Sequence, residues 1–298
     1  MIETKDLSVY YGRQRGVHNL NLLVQPGEVY GFLGPNGAGK TTTLRVLLDI
    51  IRPTAGKATI FGLDCQKKGV QIRRRVGYIP GELSLYKQLR ADEYFSMVNA
   101  VRGNTGDPAY VSSLCEQLGL DPRHPMRTYS RGNKQKVGLV AAFMGKPDLL
   151  ILDEPTGGLD PLVQQVVHEL VREARADGRT VFFSSHVLSE VQAVCDRVGI
   201  IREGQLVVTE RVEKLMRGQF HRLCLRFERM PPPGVFDQPG VREVSRTTQD
   251  VTLEIKENLN QVLSQAVQYG VLDLEDHPFT LEEIFLAYYG ISGGNHHD

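Results

Sequence analysis

Two hydrophobic rhythms alternate along the chain. Ile2 to Val9 and Leu20 to Val24 alternate apolar and polar residues, which predicts strands of an antiparallel sheet with one wetted face. Tyr10-Tyr11-Gly12-Arg13 supplies a turn between them. The apolar residues then run together. Glu28 to Leu33 reads as a buried strand and Thr42 to Leu48 as a helix. Pro53 to Lys57 is a turn, Ala58 to Gly62 a short strand, and Val76 to Glu82 a strand running into a loop. From about Arg90 to Phe143 the apolar spacing is that of helices. Strand and helix then alternate: Leu149 to Leu152, Val163 to Ala174, Thr180 to Ser184 and Leu188 to Cys195. Val198 to Ile201 and Gln205 to Val208 make a hairpin. This alternation is the signature of a parallel sheet with helices on its faces.

Past about Gly218 the character changes. His221 to Glu228, Val251 to Ile255 and Val271 to Leu274 read as strands, and Leu259 to Tyr269 and Leu281 to Tyr289 as helices. Met230 to Gly234 must be a loop, because stacked prolines have no N–H to give a sheet. A tail from Ser292, with His296 and His297, is expected to fray rather than bind metal.

Composition narrows the class only a little. The 298 residues are 41 % apolar and 23 % charged, ordinary for a globular protein. The formal net charge is zero, so nothing global draws the chain to nucleic acid or to a membrane. Apolar runs such as Leu149 to Leu152 are too short to span a bilayer, and Met1 to Asp6 has no signal-peptide core. Cys65, Cys115, Cys195 and Cys224 lack metal-site spacing and read as reduced, buried thiols of a cytosolic protein.

The chemistry begins at Gly34-Pro35-Asn36-Gly37-Ala38-Gly39-Lys40-Thr41-Thr42, which fits the phosphate-loop pattern between a strand and a helix. Backbone N–H groups and the helix dipole there favour an anion, and the glycines let the backbone close around phosphate. Lys40 is placed to reach the β- and γ-phosphates of a nucleoside triphosphate, and the Thr41 hydroxyl to bind Mg²⁺. Asp153 and Glu154 follow four apolar residues at a strand end. Asp153 suits support of the metal, and Glu154 suits the general base on the attacking water.

With these residues in order, the chain resembles the ATP-binding subunit of an ATP-binding-cassette (ABC) transporter over residues 1 to about 216. Gly34 to Thr42 matches Walker A, and Asp153-Glu154 closes Walker B. Gly158-Leu159-Asp160 matches the D-loop, and His186 the switch histidine. Tyr11 matches the aromatic that stacks on adenine, and Tyr129 to Lys136 the signature. The resemblance implies a RecA-like P-loop NTPase α/β core with an antiparallel β subdomain. A helical subdomain is expected at about 88–146 and a small α+β domain over 217–298. It implies ATP and Mg²⁺ as ligands, and a homodimer in which Ser130, Gly132 and Asp160 of one copy complete the site of the other. It also implies a separate membrane-spanning partner, a place on the cytoplasmic face of the membrane, and no nucleic-acid partner. Pro278 to Phe285 resembles the ending of drug and antibiotic exporter ATPases.

Two departures qualify the match. The usual signature is L-S-G-G-Q; here Arg131 and Asn133 replace its first glycine and its glutamine. The Q-loop glutamine expected after Ile79-Pro80 is Gly81, followed by Glu82. Two roles stay open for Glu82: an oxygen toward Mg²⁺, or an exposed carboxylate facing solvent or the membrane partner. A soluble non-transport ABC ATPase and an ATP-gated regulatory module are the rival functions. The lack of sustained heptads disfavours the chromosome-maintenance members, and Glu154 disfavours binding without turnover.

Overall fold

The structure is a computed structural model that describes residues 1–12, 14–104, 106–217, 221–255 and 257–277. The expected helix Leu281 to Tyr289, the segment Pro278 to Phe285 and the tail from Ser292 lie outside the described residues, as does Arg13 of the first turn. The chain divides into two compact units, Met1–Val212 and Glu213–Asp298.

The first unit runs β1 (Ile2–Tyr11), β2 (Gln14–Val24), β3 (Val29–Leu33), α1 (Lys40–Leu47), β4 (Ala55–Ile60), β5 (Leu63–Asp64), α2 (Gly69–Arg73) and β6 (Val76–Ile79). It continues with α3 (Ala91–Val101), α4 (Pro108–Gln117), a 3-10 turn at Met126–Thr128, α5 (Arg131–Phe143), β7 (Leu149–Asp153) and α6 (Pro161–Ala176). Then come β8 (Thr180–Ser185), α7 (Leu188–Val194), β9 (Arg197–Arg202) and β10 (Gln205–Arg211), with α8 (Val212–Arg217) at the boundary. No helix among the described residues is long and apolar enough to cross a membrane.

Two sheets organise this unit. The antiparallel one has the order β2-β1-β4-β5. The other has six strands in the order β10-β9-β3-β8-β7-β6. Within it β9, β3, β8, β7 and β6 are parallel, and β10 adds an antiparallel edge. Every residue of β3, β7 and β8 is buried, which is why their middles are continuous apolar runs rather than alternations, with polar residues only at the ends of β7 and β8. Register fixes the functional geometry. Leu33 lies opposite Ser185, Asp153 opposite Ser184, and Ile79 opposite Leu152. The carboxyl ends of β3, β8, β7 and β6 therefore open side by side, the edge of a parallel sheet where ligands bind.

Three local differences from the sequence expectation have simple causes. The first turn shrinks, because β1 and β2 pair out to Tyr11 opposite Gln14. β4 starts at Ala55, inside the expected turn, because that exposed end pairs with Ser8 of β1. Cys224 is only half-buried, while the other three thiols are buried and all four are free. Burial pushes the Cys65 thiol up to about 12 and the Cys115 thiol to about 11.

In the second unit, β11 (His221–Phe227), β12 (Val241–Arg246), β13 (Asp250–Ile255), α9 (Leu259–Gln268) and β14 (Val271–Asp276) follow in order. The antiparallel sheet β12-β13-β11-β14 and α9 enclose their own core, which includes Leu225, Phe227, Val251, Leu253, Val262 and Ala266. β12 had no counterpart in the sequence reading.

The parallel sheet depends on a cross-strand aromatic stack. Phe182 of β8 is fully buried, with its ring centroid 5.7 Å from that of Tyr30 and 5.3 Å from that of Phe32, both on β3. Truncating a buried Phe removes its transfer energy and leaves a cavity. Phe182→Ala is expected to cost about 3–5 kcal/mol in urea denaturation, and a loss below about 1 kcal/mol would show that the stack is not a core element.

Candidate functional site

The loop between β3 and α1 is shaped by close backbone approaches. Gly39 has φ +107°, and a Cβ there would sit 2.6 Å from the carbonyl of Gly16. A Cβ on Gly34 would meet the Ile201 carbonyl at 2.3 Å. The chain thus wraps back on itself and aims the N-terminus of α1 outward. Lys40, the first residue of that helix, is buried and folds over its own loop. Its Nζ donates to the Gly34 carbonyl at 2.5 Å and to the Pro35 carbonyl at 3.3 Å.

Asp153, the last residue of β7, is fully buried. Its Oδ2 accepts from Thr41 Oγ1 at 2.8 Å and its Oδ1 from Ser184 Oγ at 2.9 Å. These two hydroxyls offset part of the cost of removing a carboxylate from water, which otherwise amounts to several kcal/mol. Burial, reinforced by the charge of Asp153, pushes the Tyr78 phenol up to about 12.

The next residue turns the chain. Glu154 has φ +53°, a left-handed conformation that bulky residues rarely adopt. Its N–H donates to the Ser184 carbonyl at 3.0 Å, and its own carbonyl accepts from Gly157 at 3.1 Å. The side chain is thereby aimed at the phosphate loop. Oε1 lies 3.3 Å from Lys40 Nζ, and Oε2 lies 2.5 Å from Nδ1 of the half-exposed His186. Oε1 is buried and, apart from facing that ammonium, has no hydrogen-bond partner among the described residues.

These groups open on a cleft of about 1000 Å³. Tyr11, Pro35, Asn36, Gly37, Gly39, Lys40, Thr41, Thr42, Glu82, Glu154 and His186 line it. Arg15, Arg131 and Lys134 join Lys40 on its walls, so four cations face two carboxylates, a balance suited to a polyanion. The Tyr11 hydroxyl lies 3.4 Å from Thr42 Oγ1. Gly81 lies against Asp153, where a Cβ would be 3.3 Å from Oδ2, and the exposed Glu82 follows it.

Comparison with known proteins decides what this cleft belongs to. The family model described as ABC transporter matches residues 17–157. The bacitracin transport ATP-binding protein BcrA of Bacillus licheniformis is 41 % identical over 213 residues, 70 % of this chain and 68 % of that protein. The chain belongs to the ABC transporter ATP-binding family. The lantibiotic transport ATP-binding protein SrtF of Streptococcus pyogenes is 33 % identical over 74 % of this chain and 97 % of its own length. A solved ATP-binding subunit of an ABC transporter superposes with a TM-score of 0.67 at 30 % identity, covering 73 % of this chain and 92 % of that one.

This ABC ATPase gathers most of the residues named from sequence into one place, and sets three apart. Gly34 and Ala38 shape the loop and Asp153 lies beneath the cleft floor, whereas Ser130, Gly132 and Asp160 do not line the cleft. Ser130 caps α5 by accepting from the Asn133 N–H at 3.2 Å, and Asp160 caps α6 by accepting from Val163 at 3.1 Å. A Cβ on Gly132 would stand 3.1 Å from the Gly158 carbonyl, so the signature and the D-loop abut within one chain.

Sequence reasoning placed Lys134 and Gln135 inside the signature stretch without giving either a role, and it gave none to Ser184 or Arg15. Gln135 is buried, and its amide donates to the Pro155 carbonyl at 3.0 Å, clamping the turn after Glu154. Ser184 carried a usable signal, because a hydroxyl at the end of a buried apolar run needs a partner.

Proposed function

We propose that this ABC ATPase hydrolyses ATP as one half of a dimer that drives a separate membrane-spanning partner, and that the assembly exports antibiotic-like compounds. The observation that carries the hydrolytic role is the aim of Glu154. Its strained backbone holds the carboxylate between Lys40 and His186 at the mouth of the phosphate loop. The names of the bacitracin and lantibiotic relatives support the substrate class.

In this reading the α1 N-terminus and Lys40 bind the β- and γ-phosphates, and Tyr11 stacks on adenine. Lys40 faces Glu154 while no phosphate is bound. A γ-phosphate competes for the ammonium and leaves the carboxylate free to take a proton from water. Oε1, which faces Lys40 at 3.3 Å, is the oxygen freed for that proton when the ammonium moves to phosphate, while His186 Nδ1 donates to Oε2 and the doubly protonated ring has a second N–H to offer the γ-phosphate. Thr41 Oγ1 and Asp153 Oδ2, adjacent hard oxygen donors, fit a Mg²⁺ ion, with Glu82 from the same cleft as a further donor. Such an ion supplies neutralisation of the phosphate charge. Ser130, Gly132 and Asp160 act across the dimer on the partner's nucleotide, which fits their place outside this chain's own cleft. Residues 217–298 serve as an accessory module for dimer or partner contacts. The chain works at the cytoplasmic face of the membrane.

Two experiments follow. Glu154→Gln keeps the shape and removes the base, so ATP turnover is expected to fall by about 10²–10⁴ while ATP binding persists and a closed dimer accumulates in gel filtration. Turnover at the wild-type rate would end the role given to Glu154. Glu82→Ala is expected to raise the Mg²⁺ concentration needed for half-maximal binding of a fluorescent ATP analogue. An unchanged titration removes Glu82 from the metal and leaves it as an exposed carboxylate facing solvent or the membrane partner.

A further inference from the structure

We infer that Glu190 is a positioning residue for hydrolysis, a clamp that fixes the Glu154 loop and the His186 loop against each other. The inference rests on the roles proposed above for Glu154 and His186. It starts from a carboxylate that no sequence motif singled out. Glu190 lies in the first turn of α7, where the helix dipole favours its negative charge. Its two oxygens accept from two different loops. Oε1 takes the hydroxyl of Thr156 at 2.5 Å, and Oε2 takes the hydroxyl of Ser185 at 2.5 Å.

Both donors are buried, Thr156 at 3 % and Ser185 at 0 % exposure, so neither hydroxyl has water as a substitute partner. Hydroxyl-to-carboxylate bonds of this length belong to the strong, charge-assisted class. Their placement gives them a function. Thr156 stands two residues past Glu154, in the turn closed by the Gly157 N–H on the Glu154 carbonyl. Ser185 immediately precedes His186, and its Oγ also accepts from the Val187 N–H at 2.9 Å. His186 is thus bracketed by anchored neighbours. The strand ends are already paired, Asp153 opposite Ser184, and the Glu154 N–H extends that pairing by a bond to the Ser184 carbonyl. Beyond that bond, the 2.5 Å contact between Glu154 and His186 depends on the two loops holding their separation, and Glu190 bridges them at that level.

A clamp of this kind acts on reaction geometry rather than on affinity. A displacement of about 1 Å at a reacting group costs on the order of 10²-fold in rate. Glu190→Ala is therefore expected to lower kcat about 10- to 100-fold with the KM for ATP unchanged. Glu190→Gln is expected to recover most of the rate, because its amide still bridges two hydroxyls, one as donor and one as acceptor. Thr156→Val, which keeps the shape and deletes one arm, should lower kcat in the same way, and it carries the test if Glu190→Ala fails to fold. The decisive arm is epistasis: with His186→Ala already present, adding Glu190→Ala should cost nothing more. Wild-type kcat in both Glu190→Ala and Thr156→Val overturns the clamp, as does a full additional loss in the double variant. Wild-type turnover in His186→Ala and Glu154→Gln would instead remove the hydrolytic reading on which the clamp rests.

Discussion

The site depends on how β7 ends. Two consecutive carboxylates receive opposite treatments within one residue of chain. Asp153 completes the strand and is sealed inside the sheet, where the Thr41 and Ser184 hydroxyls meet its oxygens. Glu154 departs into the left-handed region and swings its carboxylate over the phosphate loop. The first arrangement ties the helix after β3 to the end of β7. The second needs that tie, because Lys40 and Thr41 are neighbours on α1, and moving one moves the other. Backbone strain of this sort costs on the order of 1–3 kcal/mol and persists only where the surroundings impose it. Here they include the Ser184 carbonyl, the Gly157 N–H and the Gln135 amide on the next carbonyl.

The departures from the family signature acquire physical meaning in this frame. Register places the end of β6 beside the end of β7, so the residues after Ile79 arrive against Asp153. At Gly81 a Cβ would already be 3.3 Å from Oδ2. Glu82, one residue on, is exposed and brings a carboxylate to the cleft wall. Arg131, where the family has glycine, lies beside Gly158, whose Cβ position is 3.5 Å from its side chain, and it adds a cation to the cleft wall. Both changes alter charge at the cleft while leaving the phosphate loop intact.

Much of this was legible in the sequence, for identifiable reasons. The parallel strands announced themselves because burial on both faces favours continuous apolar runs, as in Leu149 to Leu152 and Val181 to Phe183. The phosphate loop was legible because close backbone approach at Gly34 and Gly39 excludes every side chain. β12 was not legible. It is an edge strand, largely exposed, whose Arg and Glu residues carry no apolar alternation. The five-residue α2 is too short for a helical period to register. The first half of β2 was missed because Gln14 and Arg15 are exposed and polar. At the site, Gln135 and Glu190 were silent for a different reason. Each acts on backbone or hydroxyl groups distant in sequence, and only the fold brings those partners within reach.

In the proposed dimer, one chain supplies half of each hydrolytic site: the phosphate loop with Glu154 to one nucleotide, and the start of α5 to the other. Mixing two inactive variants tests it most directly. Lys40→Met disables the phosphate loop, while Ser130→Asp keeps a good N-cap and sets a negative charge where a phosphate is expected. Each alone should be inactive, and an equimolar mixture should regain ATP turnover through mixed dimers that hold one intact composite site. A mixture as inactive as its components, under conditions where mixed dimers form, would contradict sites shared between two chains.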